Sequence, residues 1–228
     1  MEWQEDSGLA NRILEDIGKE LEVGQEQYLA NLPHTSELIY CLTRSYYNRF
    51  DPLAPNPQET MLFSLGIGLE KVLLRPHRKS ESGEHEGIYW SADWLDYNDG
   101  LGELKTTRLS AKKGPEELPA TWIKQVLSYM KATGHREISL AVFYVMGNYV
   151  PPFPMLKCWH GKASDIEVQA NWNWMKDRKK VYIEHIEKKE VPRQYQWNEE
   201  WECANCRYSF VCQAKESIER LRAEKVNT

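Results

Sequence analysis

Three cysteines close together near the end of the chain constrain it more than any other feature. Two residues separate Cys203 from Cys206, and five separate Cys206 from Cys212. So tight a group is hard to explain as three unrelated buried thiols, and a metal is the natural reason for it. Zinc accepts four thiolates, and so does an iron-sulfur cluster; ligand softness does not separate them. The sequence holds five cysteines. Cys41 is the better fourth ligand, because Cys158 stands beside Trp159 beyond a proline-rich loop, where a spare thiol is unremarkable. Joining Cys41 to the later three staples an early helix to the tail.

With 228 residues, 41% of them hydrophobic, and nine tryptophans, the chain can bury one substantial core with an elaborated end. Apolar runs such as Leu140 to Val145 are too short to cross a bilayer, and the acidic start lacks the layout of a signal peptide. The expectation is a cytoplasmic protein with no membrane partner, in which cysteines serve as metal ligands or buried thiols rather than disulfides. A formal charge of -5 argues against broad electrostatic coating of nucleic acid. Basic residues are nevertheless concentrated at Arg75, Arg78 and Lys79, at Lys105, Arg108, Lys112 and Lys113, and at Lys176 and Arg178 to Lys180. Such runs are usually solvated faces, and they are also candidate phosphate tracks.

Residues 1–34 read as an acidic amphipathic helix, with Leu9, Ile13, Ile17 and Leu21 at helical spacing. Residues 35–192 form the body and 193–228 the cysteine-bearing tail. Within the body, Thr35 and Ser36 offer an N-cap to a helix from Glu37 to about Tyr47 that carries Cys41. After a proline-rich loop, Glu59 to Leu74 reads as an apolar helix containing Glu70. Strands are expected at Ile88 to Tyr97 and Leu101 to Thr107, around a turn at Asn98-Asp99-Gly100. A helix from Pro119 to Lys131, a buried strand from Ile138 to Met146 and a charged helix from about Ala170 to Lys189 follow. The order implies an α/β fold with a central mixed sheet flanked by helices.

Side chains alternate along a strand, so Glu103 and Lys105 share a face while Leu104 points the other way. If the turn runs through Asn98, Asp99 and Gly100, Asp93 falls opposite Lys105 on that same face. Asp93 and Glu103 then make an oxygen-rich site suited to Mg2+ or Mn2+, beside a lysine. That grouping suits phosphodiester hydrolysis, in which a divalent ion polarises the phosphate and a lysine orients water or offsets developing charge. Gln125 and Tyr129, four apart on a helix, project together and offer an amide and a phenol to a phosphate or to the site. Glu70 lies among apolar neighbours, where an acid is costly unless paired or bound to metal. Trp90, Trp94 and Trp122 are candidates for base stacking, though such residues more often belong to the core.

From about Thr35 to Cys212 the chain resembles the CRISPR-associated RecB-like exonucleases, relatives of the nuclease domain of RecB and of iron-sulfur helicase-nucleases. Ser36-Glu37-Leu38-Ile39-Tyr40-Cys41-Leu42-Thr43-Arg44 resembles the first-cysteine motif, and Gly87-Ile88 leading to Asp93 the metal-binding aspartate strand. Glu103-Leu104-Lys105 stands at the ExK motif and Gln125 with Tyr129 at QxxxY. Val191-Pro192-Arg193 to Cys203, Cys206 and Cys212 resembles the closing segment. The resemblance implies a PD-(D/E)XK core and a 4Fe-4S cluster on Cys41, Cys203, Cys206 and Cys212. It also implies a metal site of Glu70, Asp93 and Glu103, with Lys105, Gln125 and Tyr129 serving catalysis. The implied activity is hydrolysis of DNA, chiefly exonucleolytic on single strands, with endonuclease or end-trimming activity besides. CRISPR adaptation or recombination proteins are the implied partners. One departure stands out: the family often has histidine in G-x-x-x-H, and here Gly66 is followed by Glu70. A carboxylate replaces imidazole for a hard cation, with manganese less favoured. The rival is a catalytically silent DNA-binding or adaptor protein. Loss of a metal acid would mark it, and Asp93, Glu103 and Lys105 are all present.

Overall fold

The computed structural model describes residues 12–13, 15–19, 32–73, 81–96, 100–193, 200–204 and 206–226. In chain order the elements of its first half are α1 (Thr35–Ile39), α2 (Leu42–Phe50), α3 (Pro57–Leu73), β1 (Glu81–His85), β2 (Ile88–Ala92), β3 (Trp94–Asp96) and β4 (Gly100–Thr107). Then come α4 (Ala120–Thr133), β5 (Glu137–Tyr144), β6 (Met155–Lys162), α5 (Asp165–Lys188), α6 (Glu200–Ala204) and α7 (Ser209–Val226). The described residues before 32 are helical, and the rest of the expected N-terminal helix lies outside the described residues. So do the helix end at Leu74, the basic residues Arg75, Arg78 and Lys79, and the turn residues Asn98 and Asp99. Among the described residues, no helix is long and apolar enough to cross a membrane.

The chain forms two units, one of residues up to Thr35 with Pro55–Asn173, the other of Ser36–Ala54 with Trp174–Thr228. In the first, a four-stranded sheet has the order β3-β4-β5-β6, beside a two-stranded sheet of β1 and β2. β4 and β5 are parallel, and the β3–β4 and β5–β6 pairs are antiparallel. A parallel neighbour needs a crossover, and α4 supplies it. This is the mixed α/β architecture expected. The face that α4 covers is set by alternation: β5 buries Ile138, Leu140, Val142 and Tyr144 while the residues between them are partly exposed. The parallel register places Glu103 beside Leu140 and Lys105 beside Val142, so both belong to that covered face. Val126, Tyr129 and Met130 of α4 pack there with Trp90, Leu101 and Ile138, joined by Val168 from the start of α5. Trp122 closes a second cluster with Leu140, Val142 and Tyr144.

The hairpin register differs from the expectation. Asp96 pairs with Gly100, Leu95 with Leu101 and Trp94 with Gly102, which leaves residues 97–99 between the strands. Asp93 is therefore aligned with Glu103 rather than Lys105, a shift of two that keeps the same face. Trp94 fixes this choice. A Cβ on Gly102 would lie 1.7 Å from the Trp94 indole, so the ring occupies the space that any other residue at 102 would need. Asp93 itself stands in a bend between β2 and β3, where one continuous strand was expected.

In the second unit the expected helix from Glu37 to Tyr47 is two helices, because the chain turns extended at Cys41 (φ -52°, ψ 118°). No proline or glycine forces this break. Its buried polar groups are instead satisfied from far along the sequence: the Cys41 N–H donates to Glu202 Oε2 at 2.9 Å. The guanidinium of fully buried Arg178 donates to the carbonyls of Leu38 and Tyr40. Thr43 Oγ1 adds a bond to the Pro192 carbonyl at 2.8 Å. Buried backbone groups demand such partners, and the break in the helix is where these side chains reach them.

Candidate active site and cysteine cavity

β4 brings two charged residues onto a face that is otherwise apolar, and α4 lays two polar ones over them. Glu103 is 3% exposed. Lys105 Nζ donates to Glu103 Oε1 at 2.6 Å and to Gln125 Oε1 at 2.7 Å. Gln125 Nε2 donates to the same Glu103 oxygen at 3.0 Å and to the Tyr129 hydroxyl at 2.6 Å. The amide is thereby oriented at both ends, its oxygen on the ammonium and its nitrogen on the carboxyl and the phenol. Gln125 and Tyr129 are both buried. Gln125 is bonded to Lys105 and Glu103, and Tyr129 to Gln125.

Asp93 completes the group from the bend before β3, its Oδ2 accepting the Leu104 N–H at 2.5 Å. Burial holds its carboxyl above the ordinary aspartate range, although the Leu104 amide and the Lys105 charge pull the other way. Burial pushes Glu103 further, to about 8. Lys105 lowers it, while the charges of Asp93 and Glu70 raise it. Glu70, exposed on α3, is thus near enough for its charge to be felt at Glu103. Glu103 Oε2 is buried without a hydrogen-bond partner in the structure. Lys105 is bound to the other oxygen of this carboxyl, and one ammonium does not offset a buried acid with further acids near it. That donor set fits a hard divalent cation. Among the described residues, no three His, Cys, Asp or Glu side chains are gathered closely enough to enclose an ion as they stand.

The tryptophans suggested for stacking do not serve it. Trp90, Trp94 and Trp122 are 8%, 4% and 8% exposed: they fill the core, and Trp94 covers Gly102.

In the second unit, Cys41, Cys203, Cys206 and Cys212 line one cavity, together with Arg44, Glu202 and Tyr208. The Cys206 N–H bonds to the Cys203 carbonyl at 3.2 Å, a turn that gathers those two residues. Burial, with smaller contributions from the other three cysteines, raises the Cys212 thiol to about 11. Cys206 is raised by burial and, in smaller part, by Cys41 and Cys203. Thiols gathered in one cavity, with ionisation disfavoured at Cys206 and Cys212, suit a cationic metal centre. Cys158 is exposed on β6. Sequence reasoning missed Glu202, and it placed Arg178 in a candidate phosphate track, whereas Arg178 is fully buried. The only signal for Glu202 was its place next to Cys203.

No family model matches the sequence, and no curated protein matches it either. Solved structures do. The chain is similar to the protein of the crystal structure of SSO0001, at 18% identity and a TM-score of 0.54, over 90% of this chain and 96% of that one. An alkaline exonuclease from Laribacter hongkongensis is a looser likeness, at 15% identity and a TM-score of 0.44, over 72% and 97%. The first likeness shows a shared fold.

Proposed function

We propose that this chain is a divalent-metal-dependent DNA nuclease of the PD-(D/E)XK type, chiefly a single-strand exonuclease, related to the CRISPR-associated RecB-like enzymes. The observation that carries the reading is the Asp93, Glu103, Lys105 and Gln125 group, in which a buried acid with a free oxygen is held 2.6 Å from a lysine. Glu70, Asp93 and Glu103 would hold Mg2+ or Mn2+. Such an ion would supply polarisation of the scissile phosphate and a lowered pKa of water. Lys105 presents its ammonium where charge develops on the phosphate, held there by Gln125, which Tyr129 anchors in turn. Because Gln125 orients both Lys105 and Glu103, its role is to fix the angle between the cation site and the ammonium.

Cys41, Cys203, Cys206 and Cys212 would hold a 4Fe-4S cluster, with a structural role. Partners in CRISPR adaptation or recombination follow from the resemblance alone. The test is incubation of pure protein with end-labelled single- and double-stranded DNA, with and without Mg2+ or Mn2+. Cleavage should require the ion and favour the single strand, and Asp93→Ala, Glu103→Ala and Lys105→Ala should each abolish it. A variant that cleaves at the parental rate under saturating metal removes that residue from the catalytic group.

A further inference from the structure

β4 does not end at the site. Three residues beyond Lys105, roughly 10 Å along an extended strand, the chain enters the loop Arg108–Lys113, which is tied to the loop Met146–Pro154 that follows β5. The Val145 N–H donates to the Thr107 carbonyl at 3.0 Å, and the Ala111 N–H to the Gly147 carbonyl at 2.8 Å. The Tyr149 hydroxyl donates to the Arg108 carbonyl, and Lys157 Nζ to the Ala111 carbonyl. Gly147 is the hinge point of this pairing. Its φ of +51° suits glycine, and a Cβ there would meet the Phe153 Cβ at 3.0 Å, so Phe153 folds back over the residue that receives Ala111.

The side chains on these loops are of two kinds. Tyr149 is 59% exposed and Phe153 49%, while Arg108 and Lys112 are exposed cations on the facing loop. Tyr149 holds a positive φ of 66°, a conformation rare for an aromatic residue, and its hydroxyl is tied down. The ring is therefore fixed in place yet open to solvent. Exposed aromatic rings beside a short cationic track, continuous with a strand that carries the candidate active site, match the chemistry that binds unpaired nucleotides.

We propose that these paired loops form the platform for the single-stranded part of a DNA substrate, with Tyr149 and Phe153 stacking on bases and Arg108 and Lys112 contacting phosphates. The proposal rests on the nuclease reading for the identity of its ligand, but its test does not require cleavage. Binding of fluorescein-labelled oligothymidylate is followed by anisotropy in EDTA, over a range of salt concentrations. Tyr149→Ala and Phe153→Ala should each weaken binding roughly tenfold without changing its salt dependence. Arg108→Ala and Lys112→Ala should each lower the slope of log K against log salt by about 0.7. Tyr149→Phe, which keeps the ring and loses only its tie to Arg108, should weaken binding less than Tyr149→Ala does. Parental affinity in both alanine variants of the rings, or unchanged slopes in both cation variants, overturns the platform. Tighter binding to oligouridylate than to oligothymidylate overturns DNA as its ligand. Protein that binds through these residues but cleaves nothing with Mg2+ or Mn2+ would keep the platform and sink the nuclease reading.

Discussion

Replacing Glu103 by glutamine tests directly whether the site is short of positive charge. The carboxyl is raised from 4.5 to about 8, so the folded protein retains a proton that the unfolded chain releases near pH 4.5. Between those values the native state binds more protons than the unfolded state, and stability must fall as pH rises. The loss begins near pH 4.5 and is complete above about pH 8. At about 1.4 kcal/mol per tenfold change in proton activity, it amounts to roughly 5 kcal/mol, as much as the whole stability of many domains. Glutamine cannot ionise and still offers an oxygen to Lys105. Urea unfolding of metal-free parent and Glu103→Gln, followed by tryptophan fluorescence from pH 5 to pH 9, should show the variant gaining several kcal/mol on the parent as pH rises. Saturating Mg2+ should restore the parent at high pH and leave the variant nearly unmoved. A stability difference that stays constant from pH 5 to pH 9 would refute the argument from uncompensated charge.

Glu70→Ala should raise the concentration of Mg2+ or Mn2+ needed for half-maximal cleavage, and Glu70→His should restore activity; an unchanged metal titration removes Glu70 from the ion's ligands. Gly102→Ala drives a methyl into the Trp94 ring and should cost about 2–3 kcal/mol in urea unfolding, so an unshifted midpoint would contradict the register described. Cys41→Ser should lose iron and expose the tail to protease, whereas Cys158→Ser should do neither. Iron retained in the first and lost in the second would make Cys158 the fourth ligand.

Much of the candidate site was legible because its geometry is local. Alternation in a strand puts Glu103 with Lys105, and helical spacing puts Gln125 with Tyr129, whatever surrounds them. The partner of Asp93 was not legible, since it depends on Trp94 packing across the hairpin onto Gly102. β6 escaped notice because Met155–Lys162 carries Lys157, His160 and Lys162 and presents no apolar stripe. Its conformation comes from pairing along its full length with β5. The apolar tryptophans drew attention as stacking candidates and proved to be core, while the open rings, Tyr149 and Phe153, lie in a loop without periodicity. The break at Cys41 was hidden for a different reason: the groups that satisfy it, Arg178 and Glu202, lie 138 to 161 residues away.

That last separation has a consequence in time. Ribosomes add about 5–20 residues per second, so the Cys41 amide is made roughly 10–30 s before the glutamate that will accept its hydrogen bond. The residues from Asp93 to Tyr129, by contrast, are synthesised within a few seconds of one another, and contacts so near in sequence close quickly. During synthesis the Cys41 end of the cavity must wait, its thiol accessible and its backbone solvated, until Glu202 and the later cysteines arrive. A nascent chain stalled after β6 should therefore hold an ordered carboxylate and lysine group while Cys41 still reacts readily with a thiol reagent, and release of the full chain should protect it.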